Sequence, residues 1–600
     1  MKITPRFLLG LGASATLIGG LAPSPLQAQT RSRPGGDRLD KKSPTRQVAE
    51  ITRSRKRPDK QDAPAPGEAP PSVEVTFPEE FRSITGLGNN QEHPAWGSID
   101  QILLRRVPAA YEDLVGSPSG SDRPSARAVS NAICAQTDFT PNRRGATDYL
   151  WQWGQFLDHD IDETPTLDPA EAFDIPVPVG DPWFDPSGTG TQTIPLNRSY
   201  FEMVDGMRQQ VNAITAYIDA SNVYGSDEQR AYALRRLDGS GKLKTSNSNV
   251  GELLPYNDAA FDNAGGTSPA LFLAGDVRAN EQVALTAMHT LFVREHNHWA
   301  QEYSDRNPGV TDEEIYQFAR MIVGAEMQAI TYREFLPVLL GPDAIPPYDG
   351  YRPRTHPGIS NLFATASYRL GHSLLSPTLL RLDADGSETA AGHLPLANAF
   401  FNPAHIEEEG IGSLLRGLAS QTCQELDGHI VDDVRNFLFG PPGSGGFDLA
   451  ALNMQRGRDH GLPSYPEVCR ALGQRPPCEF RDINPDPAVW QAMEDVYGSV
   501  DLVDCWVAGL CEPHLPGAMV GPMLHRVLSE QFTRLRDGDR FYYESHLPRE
   551  LIDLIHDQTL ATIIRRNTEI DAEIQANVFL EPSQKAAPSP KQSPRPPRKR

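Results

Sequence analysis

"NEQVALTAMHTLFVREHNHWAQEY", residues 280–303, shows the pattern that decides the fold class of this 600-residue chain. Its apolar residues recur every three or four positions, which is the spacing of an α-helix with a buried face. Residues 311–335 show the same pattern. Between about residues 80 and 580, Pro- and Gly-rich connecting segments separate such predicted helices. Alternating strand patterns are scarce there, and neither a linker nor an internal repeat is visible. We therefore predict a mainly α protein: a single large helical domain with long loops and little β-structure.

The two ends of the chain differ from this central domain, which we place at residues 79–581. Residues 1–28 contain Lys2 and Arg6, an apolar run, and a small-residue site ending at Ala28, as in a secretory signal peptide. Residues 29–78 and 582–600 are basic, rich in Pro and poor in apolar residues, so we expect both segments to be disordered. No later segment has the apolar length of a membrane span. The sequence thus predicts a secreted or periplasmic protein.

The charge of the chain limits its partners. The formal net charge is −22 although both ends are basic, so the central domain is strongly acidic and should repel nucleic acid. The basic tails either contact polyanionic surfaces or stay solvated without a partner.

The six cysteines are not arranged for cysteine chemistry. None has the C-x-x-C spacing of a metal or redox site. In an exported chain they predict disulfide bonds, and the pairs Cys469–Cys478 and Cys505–Cys511 would close short loops. The remaining cysteines are Cys134 and Cys423.

"WQWGQFLDHDID", residues 151–162, places several ionisable groups after aromatic ones. On a helix, one stripe would contain Gln155, Asp158, His159 and Asp162. Asp160 would lie about 100° further round and face a different environment. The stripe could be a solvated helix end, a His-Asp metal site of the phosphohydrolase type, or the wall of a cofactor cavity. A stripe flanked by aromatic residues favours the cavity.

"TAYIDASNVYGS", residues 215–226, suggests a cation site. In an extended loop, alternate residues point the same way, so hydroxyl, carbonyl and carboxylate oxygens could converge. Calcium takes six to eight such oxygens, although the same residue types also build ordinary turns. The predicted oxygen donors are Thr215, Tyr217, Asp219 and Ser221.

Six segments occur in the order found in one known superfamily. They are "QWGQFLDHDID", "AITAYIDASNVYGS", "RANEQVALTAMHTLFVREHN", "YRLGHSLL", "ALNMQRGRDHGLPSY" and "RLRDGDRFYYE". Together they resemble the animal-type haem peroxidases, which include myeloperoxidase, lactoperoxidase, thyroid peroxidase and peroxinectin. The resemblance spans about residues 81–579 and implies a secreted enzyme that binds haem b and Ca²⁺.

The resemblance implies two histidines on opposite sides of the haem. His372 resembles the proximal ligand of the iron, and Asn453 resembles its hydrogen-bond partner. His159 resembles the distal histidine, Gln155 the glutamine that holds water or a halide, and Arg278 the catalytic arginine. A neutral imidazole can move the proton of hydrogen peroxide, and an arginine can stabilise charge as the O–O bond breaks.

Carboxylates and arginines complete the implied haem site. Asp158 and Glu281 match the two residues that form esters to the haem, while Arg369, Arg456 and Asp162 match residues that bind its propionates. Arg278 and Glu281 are three residues apart, so one helical turn could present both.

The calcium implied by the resemblance would support the backbone next to His159. Asp160 matches one ligand, and the donors of residues 215–221 match the others.

Gln282 stands where some relatives have a methionine bonded to a haem vinyl group. Glutamine cannot form that link, so we expect bromide, iodide, thiocyanate or phenolic donors to be better substrates than chloride.

One alternative function is that of a fatty-acid dioxygenase of the cyclooxygenase type. The radical-forming tyrosine of such an enzyme would lie three residues before His372, but this chain has Arg369 there, and Tyr368 is one place away. The other alternative is a peroxinectin-like adhesion protein, although the chain has no RGD or KGD tripeptide.

Overall fold

The computed structural model describes residues 80–443 and 445–582. The predicted signal peptide, the segment 29–78 that is expected to be disordered, and residues 583–600 lie outside the described residues. Among the described residues, no helix combines the length and the apolar content needed to cross a bilayer.

The described part of the chain is mainly helical, which confirms the predicted fold class. The two longest described helices are α5 and α6, and the two predicted helical segments fall mainly on them. The helices are α1 (Ala126–Val129), α2 (Tyr149–Ile161), α3 (Ser221–Tyr224), α4 (Glu228–Leu234), α5 (Val283–Arg306), α6 (Asp312–Ile330), α7 (Leu336–Leu340), α8 (Asn361–Thr365), α9 (Ala404–Glu409), α10 (Gly412–Ser420), α11 (Asp432–Arg435), α12 (Leu449–Asp459), α13 (Tyr465–Ala471), α14 (Phe480–Ile483), α15 (Pro487–Tyr497), α16 (Cys505–Cys511), α17 (Pro522–Asp537), α18 (Tyr543–His546), α19 (Arg549–His556) and α20 (Leu560–Asn567). Short 3₁₀ helices cover Ser367–Ser373, Leu396–Asn398 and Val500–Leu502, and π-helical turns cover Ser130–Cys134 and Thr331–Phe335.

The strands are short and form small antiparallel sheets. The largest sheet has three strands in the order β1-β5-β4, and the others are the pairs β2-β3, β6-β7 and β8-β9. The strands are β1 (Gln101–Ile102), β2 (Ile175–Pro176), β3 (Thr193–Ile194), β4 (Phe201–Val204), β5 (Met207–Asn212), β6 (Ser246–Ser248), β7 (Gly251–Leu253), β8 (Thr378–Leu379) and β9 (Leu394–Pro395). A two-residue turn joins β4 to β5, and Asp205 and Gly206 both have positive φ there, as the right-handed twist of a hairpin requires.

Helix α2 is held in the core by its aromatic face. The rings of Trp153 and Phe156 pack against Phe292 of α5 at centroid distances of 5.8 and 5.0 Å. Phe579, near the end of the described chain, packs edge-on to Trp153. All four side chains are fully buried, so this face fixes α2 and leaves the opposite face to line a cavity.

None of the six cysteines, all of which lie among the described residues, is disulfide-bonded. Neither of the two short-loop pairs considered from the sequence is formed. Cys505 and Cys511 are the first and last residues of α16, and a rise of about 1.5 Å per residue separates their Cα atoms by about 9 Å. A disulfide spans about 7 Å at most. Cys469 is buried on α13, whereas Cys478 is exposed.

Candidate functional site

A cavity of about 290 Å³ lies between α2 and the 3₁₀ helix Ser367–Ser373. It brings together most of the predicted site residues, although they are far apart in the sequence. The predicted residues that line it are Gln155, Asp158, His159, Asp162, Arg278, Glu281, Arg369, His372 and Arg456. We call the side formed by α2 and residues 276–282 the His159 wall, and the side formed by residues 367–373 and Asn453 the His372 wall.

The stripe predicted on α2 faces this cavity. Gln155 and Asp158 are half-buried and open to it, while His159 and Asp162 are buried at its edge. Asp160 points away from the cavity and bonds to residues 219–222, in the different environment that helical spacing predicts.

The His372 wall has one hydrogen bond to its histidine. The side-chain amide of Asn453, on α12, contacts Nδ1 of His372 with 2.7 Å between the two nitrogens. Arg369 donates to the amide oxygen of Asn453 at 3.3 Å and to the carbonyl of Ala364. Burial lowers the pKa of His372 to about 3, with a smaller contribution from Arg369, so the imidazole is neutral and one ring nitrogen can bind a metal.

The His159 wall has a neutral imidazole next to a permanent cation. Burial is the main reason that the pKa of His159 lies well below its usual value, and Arg278 lowers it further. Arg278 donates to both carboxylate oxygens of Asp276 at 2.9 Å and to the backbone carbonyl of Asp162 at 2.9 Å. The pKa of Arg278 is raised despite burial because the carboxylates of Asp276, Glu163 and Asp158 surround it.

Arg278 and Glu281 lie in a turn rather than in a helix. The Glu281 N–H donates to the carbonyl of Arg278 at 2.8 Å, and α5 begins only at Val283. The predicted helical turn is therefore wrong, although the turn still presents both side chains to the cavity. The helix starts late because the side chain of Gln282 caps it by accepting the Ala284 N–H.

The two carboxylates predicted to bind the haem both line the cavity and are poorly solvated. Burial raises the pKa of Asp158 to about 6 and that of Glu281 to about 7, against the opposing effect of Arg278. Gln155 donates to Glu281 at 3.1 Å. Gln282 donates to the side-chain oxygens of Gln155 and Gln152, at 3.1 and 2.6 Å, and so fixes the amide of Gln155.

Two further predicted residues lie at the edge of the cavity. Burial and the neighbouring Asp158 raise the pKa of Asp162 to about 7. Arg456, on α12, donates to Asp459 at 3.0 Å and to the backbone carbonyl of Asn197 at 2.9 Å.

The predicted cation loop is compact. Asp160 accepts hydrogen bonds from the backbone N–H of Asp219 at 3.1 Å and from the Ser221 hydroxyl at 3.0 Å. Thr215 donates to Asp219 at 3.1 Å. The predicted extended course is wrong at the end of the segment, because Ala220 has a positive φ of 63° and Ser221 begins α3. Tyr217 is buried, and its hydroxyl donates to the carbonyl of Trp96.

The donor sets fit the two implied groups. Burial, followed by the charge of Asp219, raises the pKa of Asp160, so a divalent cation would relieve the repulsion between these two carboxylates. For haem, a neutral imidazole stands on each side of the cavity, and Arg369 and Arg456 supply positive charge at its edge. In the described part of the chain, the buried Oδ1 of Asp162 has no hydrogen-bond partner, as expected beside a polar cofactor.

The sequence patterns gave no role to Asp276 or Gln152. Asp276 lies two residues before Arg278 in "GDVRANEQ", and this spacing alone does not show that its carboxylate meets a histidine more than 100 residues away. Gln152 lies one turn before Gln155 on α2, and its contact to Gln282 depends on how α2 packs near α5.

A mainly helical domain with a cavity between two neutral imidazoles defines a haem-binding class of oxidoreductase. Residues 81–579 match the family "Animal haem peroxidase", and the chain belongs to this family. It is a haem peroxidase enzyme, and the resemblance stated from the motifs is confirmed.

Relatives support this assignment over most of the chain. Peroxinectin A from Dictyostelium discoideum is 36% identical over 525 residues, which is 84% of this chain and 97% of that protein. Thyroid peroxidase from Sus scrofa is 35% identical and matches 79% of this chain but 58% of its own length. Peroxidasin from Drosophila melanogaster is 35% identical over 80% of this chain and 34% of its own length.

Two solved structures share the architecture. Peroxidase A from Dictyostelium discoideum superposes with a TM-score of 0.79 at 34% identity, covering 84% of this chain and all of that one. A fatty acid alpha-dioxygenase from Oryza sativa reaches a TM-score of 0.71 at 19% identity, covering 83% of this chain and 87% of its own, and so shares the fold alone.

Proposed function

We propose that this chain reduces hydrogen peroxide and oxidises halides, pseudohalides or small phenolic donors. The observation that carries the proposal is the pairing of a neutral, buried His159 with a cationic Arg278 on one wall, opposite His372 on the other. A proton acceptor and a fixed positive charge are the two groups that heterolysis of a peroxide bond requires. Bound haem would supply the redox-active iron.

His159 moves the proton in this proposal. Its neutral imidazole takes a proton from one peroxide oxygen and returns it to the other, which leaves as water. Arg278 stays cationic and stabilises the negative charge on the departing oxygen. Gln155, whose amide is fixed by Glu281 and Gln282, holds the water or halide nearby.

His372 and Asn453 would hold the iron from the other side. Ligation through Nε2 requires a proton on Nδ1 and an acceptor facing it. A half-turn of the Asn453 amide exchanges its nitrogen and oxygen and gives that arrangement, in which Arg369 keeps its hydrogen bond to the Ala364 carbonyl but not the one to Asn453. Because an amide is a weaker acceptor than a carboxylate, we expect the iron to be more oxidising than it would be with a carboxylate partner.

The other assignments belong to the same proposal. Asp158 and Glu281 would be ester-linked to the haem, with Arg369, Arg456 and Asp162 near its propionates. The calcium ligands would be Asp160, Thr215, Tyr217, Asp219 and Ser221. We also propose a catalytic domain at residues 79–581 and export directed by residues 1–28.

The test replaces the proton acceptor in the haem-loaded chain. We expect His159→Ala to bind haem normally but to react with hydrogen peroxide at least about 100-fold more slowly, because the base is lost. Stopped-flow absorbance of the haem band measures the rate. His429→Ala, at an exposed histidine away from the cavity, is the control and should react normally. A normal rate in the His159→Ala chain would contradict the proposal.

The donor class needs a separate assay. The haem-loaded chain should turn over bromide, iodide, thiocyanate or guaiacol faster than chloride, because Gln282 cannot form the methionine link. Oxygen uptake with linoleate in the absence of peroxide would instead indicate a fatty-acid dioxygenase.

A further inference from the structure

Asp276 is a buried carboxylate on the loop before α5, and it is not one of the predicted site residues. Its side chain is 2% exposed. Both oxygens accept hydrogen bonds from Arg278, and Oδ1 also accepts the backbone N–H of Arg278 at 2.8 Å. A carboxylate removed from water is stable only when it is paired in this way.

The charge state of Asp276 follows from these contacts. Burial opposes ionisation, but the Arg278 cation and its hydrogen bonds hold the pKa of Asp276 well below its usual range. Asp276 is therefore an anion at neutral pH, and its negative charge is fixed at one place on the His159 wall.

Asp276 is the acidic group nearest to Nδ1 of His159, the ring nitrogen that faces away from the cavity. Its Oδ1 lies 3.5 Å from Nδ1 of His159, longer than a good hydrogen bond but well within the range of electrostatic attraction. In the described part of the chain Nδ1 has no hydrogen-bond partner. A neutral imidazole carries its proton on one nitrogen only, and an adjacent anion favours the tautomer with the proton on Nδ1. Nε2, 3.9 Å from Glu281, is then free to accept a proton.

The backbone of Asp276 is hydrogen-bonded to Asn222 of α3, which in turn contacts α2. The Asp276 N–H donates to the carbonyl of Asn222 at 3.0 Å, and the Asn222 side chain donates to the carbonyl of Phe156 on α2 at 2.7 Å. Gly275 permits this approach, because a Cβ there would lie 2.5 Å from the Ser221 carbonyl oxygen. Asn222 thus joins the loop that carries Asp276 to the helix that carries His159.

We propose that Asp276 is a positioning residue that keeps the proton of neutral His159 on Nδ1 and so leaves Nε2 as the proton acceptor. This inference rests on the proposed role of His159. The carboxylate touches neither peroxide nor haem in this proposal and acts only through the imidazole.

The experiment compares two equally buried Asp–Arg pairs in the haem-loaded chain. Asp276→Asn keeps the size of the side chain but removes its charge, and its amide nitrogen could face Nδ1 and favour the other tautomer. Asp504→Asn is the control, because Asp504 is 5% exposed, binds Arg458 through both oxygens and does not line the cavity. Each change is also made in the His159→Ala chain.

Three quantities are measured for each variant. They are the rate of reaction with hydrogen peroxide, the rate of cyanide binding, and the unfolding midpoint of the haem-free chain. Cyanide enters as the neutral acid and must also lose a proton to a base in the cavity, so its binding reports on His159 without electron transfer.

We expect Asp276→Asn to slow both reactions by about 10- to 100-fold, as is usual when an outer-shell partner is lost. In the His159→Ala chain the same change should alter the rates by no more than about twofold, because the residue through which it acts is gone. Asp504→Asn should lower the unfolding midpoint without slowing either reaction.

An equal cost of Asp276→Asn in both backgrounds would overturn the inference, since Asp276 would then act through Arg278 or through folding alone. Unchanged rates after Asp276→Asn would overturn it as well. If His159→Ala itself reacts normally with peroxide, the proposed function fails, and that result is distinct from either of these.

Discussion

The two walls of the cavity differ in how their histidines are held. His159 lies among Asp276, Arg278 and Glu281, which form a closely packed set of charged groups. His372 instead contacts one neutral amide, that of Asn453, which in turn accepts from Arg369. A residue that must take and return a proton needs its electrostatic surroundings fixed, whereas a metal ligand mainly needs its ring oriented. The predictions below test this contrast.

Removing the ligand of the His372 wall should have the largest effect. We expect His372→Ala to weaken haem binding at least about 100-fold, since the proposed iron bond is lost. Titration of the haem-free chain with haem, followed by absorbance, measures the affinity. His429→Ala is the control and should bind normally. A His372→Ala chain that binds haem with normal affinity and an unchanged spectrum would show that the walls have been assigned the wrong roles.

The proposed ester links to haem would involve two carboxylates of the His159 wall, Asp158 and Glu281. Replacing both Asp158 and Glu281 with alanine should let acidified organic solvent extract all of the haem, whereas the unchanged chain should retain it after turnover with peroxide. Each single variant should retain one bond. Absorbance of the extracted and protein-bound fractions provides the measurement, and haem that is fully extractable from the unchanged chain would exclude both esters.

If the chain binds calcium as proposed, its removal should destabilise the side of α2 that faces away from the cavity. A cation present at 100 times its dissociation constant contributes about 2.7 kcal/mol, so chelation should lower the unfolding midpoint of this large domain by about 2 to 3 °C. Asp160→Asn should largely abolish this response, while Asp504→Asn should leave it intact. An unfolding midpoint that does not respond to verified calcium removal would contradict the proposed ligands.

Asp148 connects the two sides of the cavity and should show a smaller, pH-dependent effect. It precedes α2 and accepts the hydroxyl of Ser376, four residues after His372, at 2.7 Å. Burial raises the pKa of Asp148 to about 7 from an ordinary value near 4, so the fold favours its protonated form. The stability that this preference contributes is complete below about pH 4 and is lost as the pH rises through about 7.

In the Asp148→Asn variant the side chain is an amide that cannot ionise. The variant should therefore not lose this stability as the pH rises. The free energy of unfolding of the variant, relative to the unchanged chain, should rise by about 2 kcal/mol between pH 5 and pH 8. Denaturant unfolding at several pH values measures it, and the other buried carboxylates cancel in the comparison. A difference between the two chains that is independent of pH would rule out burial of an ionisable Asp148 as the cause.

Helical periodicity predicted the elements that build the cavity more reliably than their ends. Helical spacing predicts a helix over residues 149–162, and α2 ends at Ile161. The long segment from residue 280 begins as a helix only at Val283, because Gln282 caps it and the preceding residues form a turn. Local propensity does not reveal this turn, since its geometry depends on contacts to α2 and to residue 222.

The cysteine spacing shows most clearly what local reasoning leaves undecided. Short spacing along the chain suggests a loop that a disulfide can close, but it does so only where the backbone turns back. Between Cys505 and Cys511 the backbone is a helix that carries the two ends apart.

The sequence by itself determined the family, the helical class and the residue types of the candidate site, because ordered motifs and apolar spacing are properties of the chain alone. Only the tertiary structure decided that Asp276 stands beside His159 and that Gln282 fixes the amide of Gln155. Such contacts join residues more than 100 positions apart, and their distances depend on how whole helices pack, which no local pattern records.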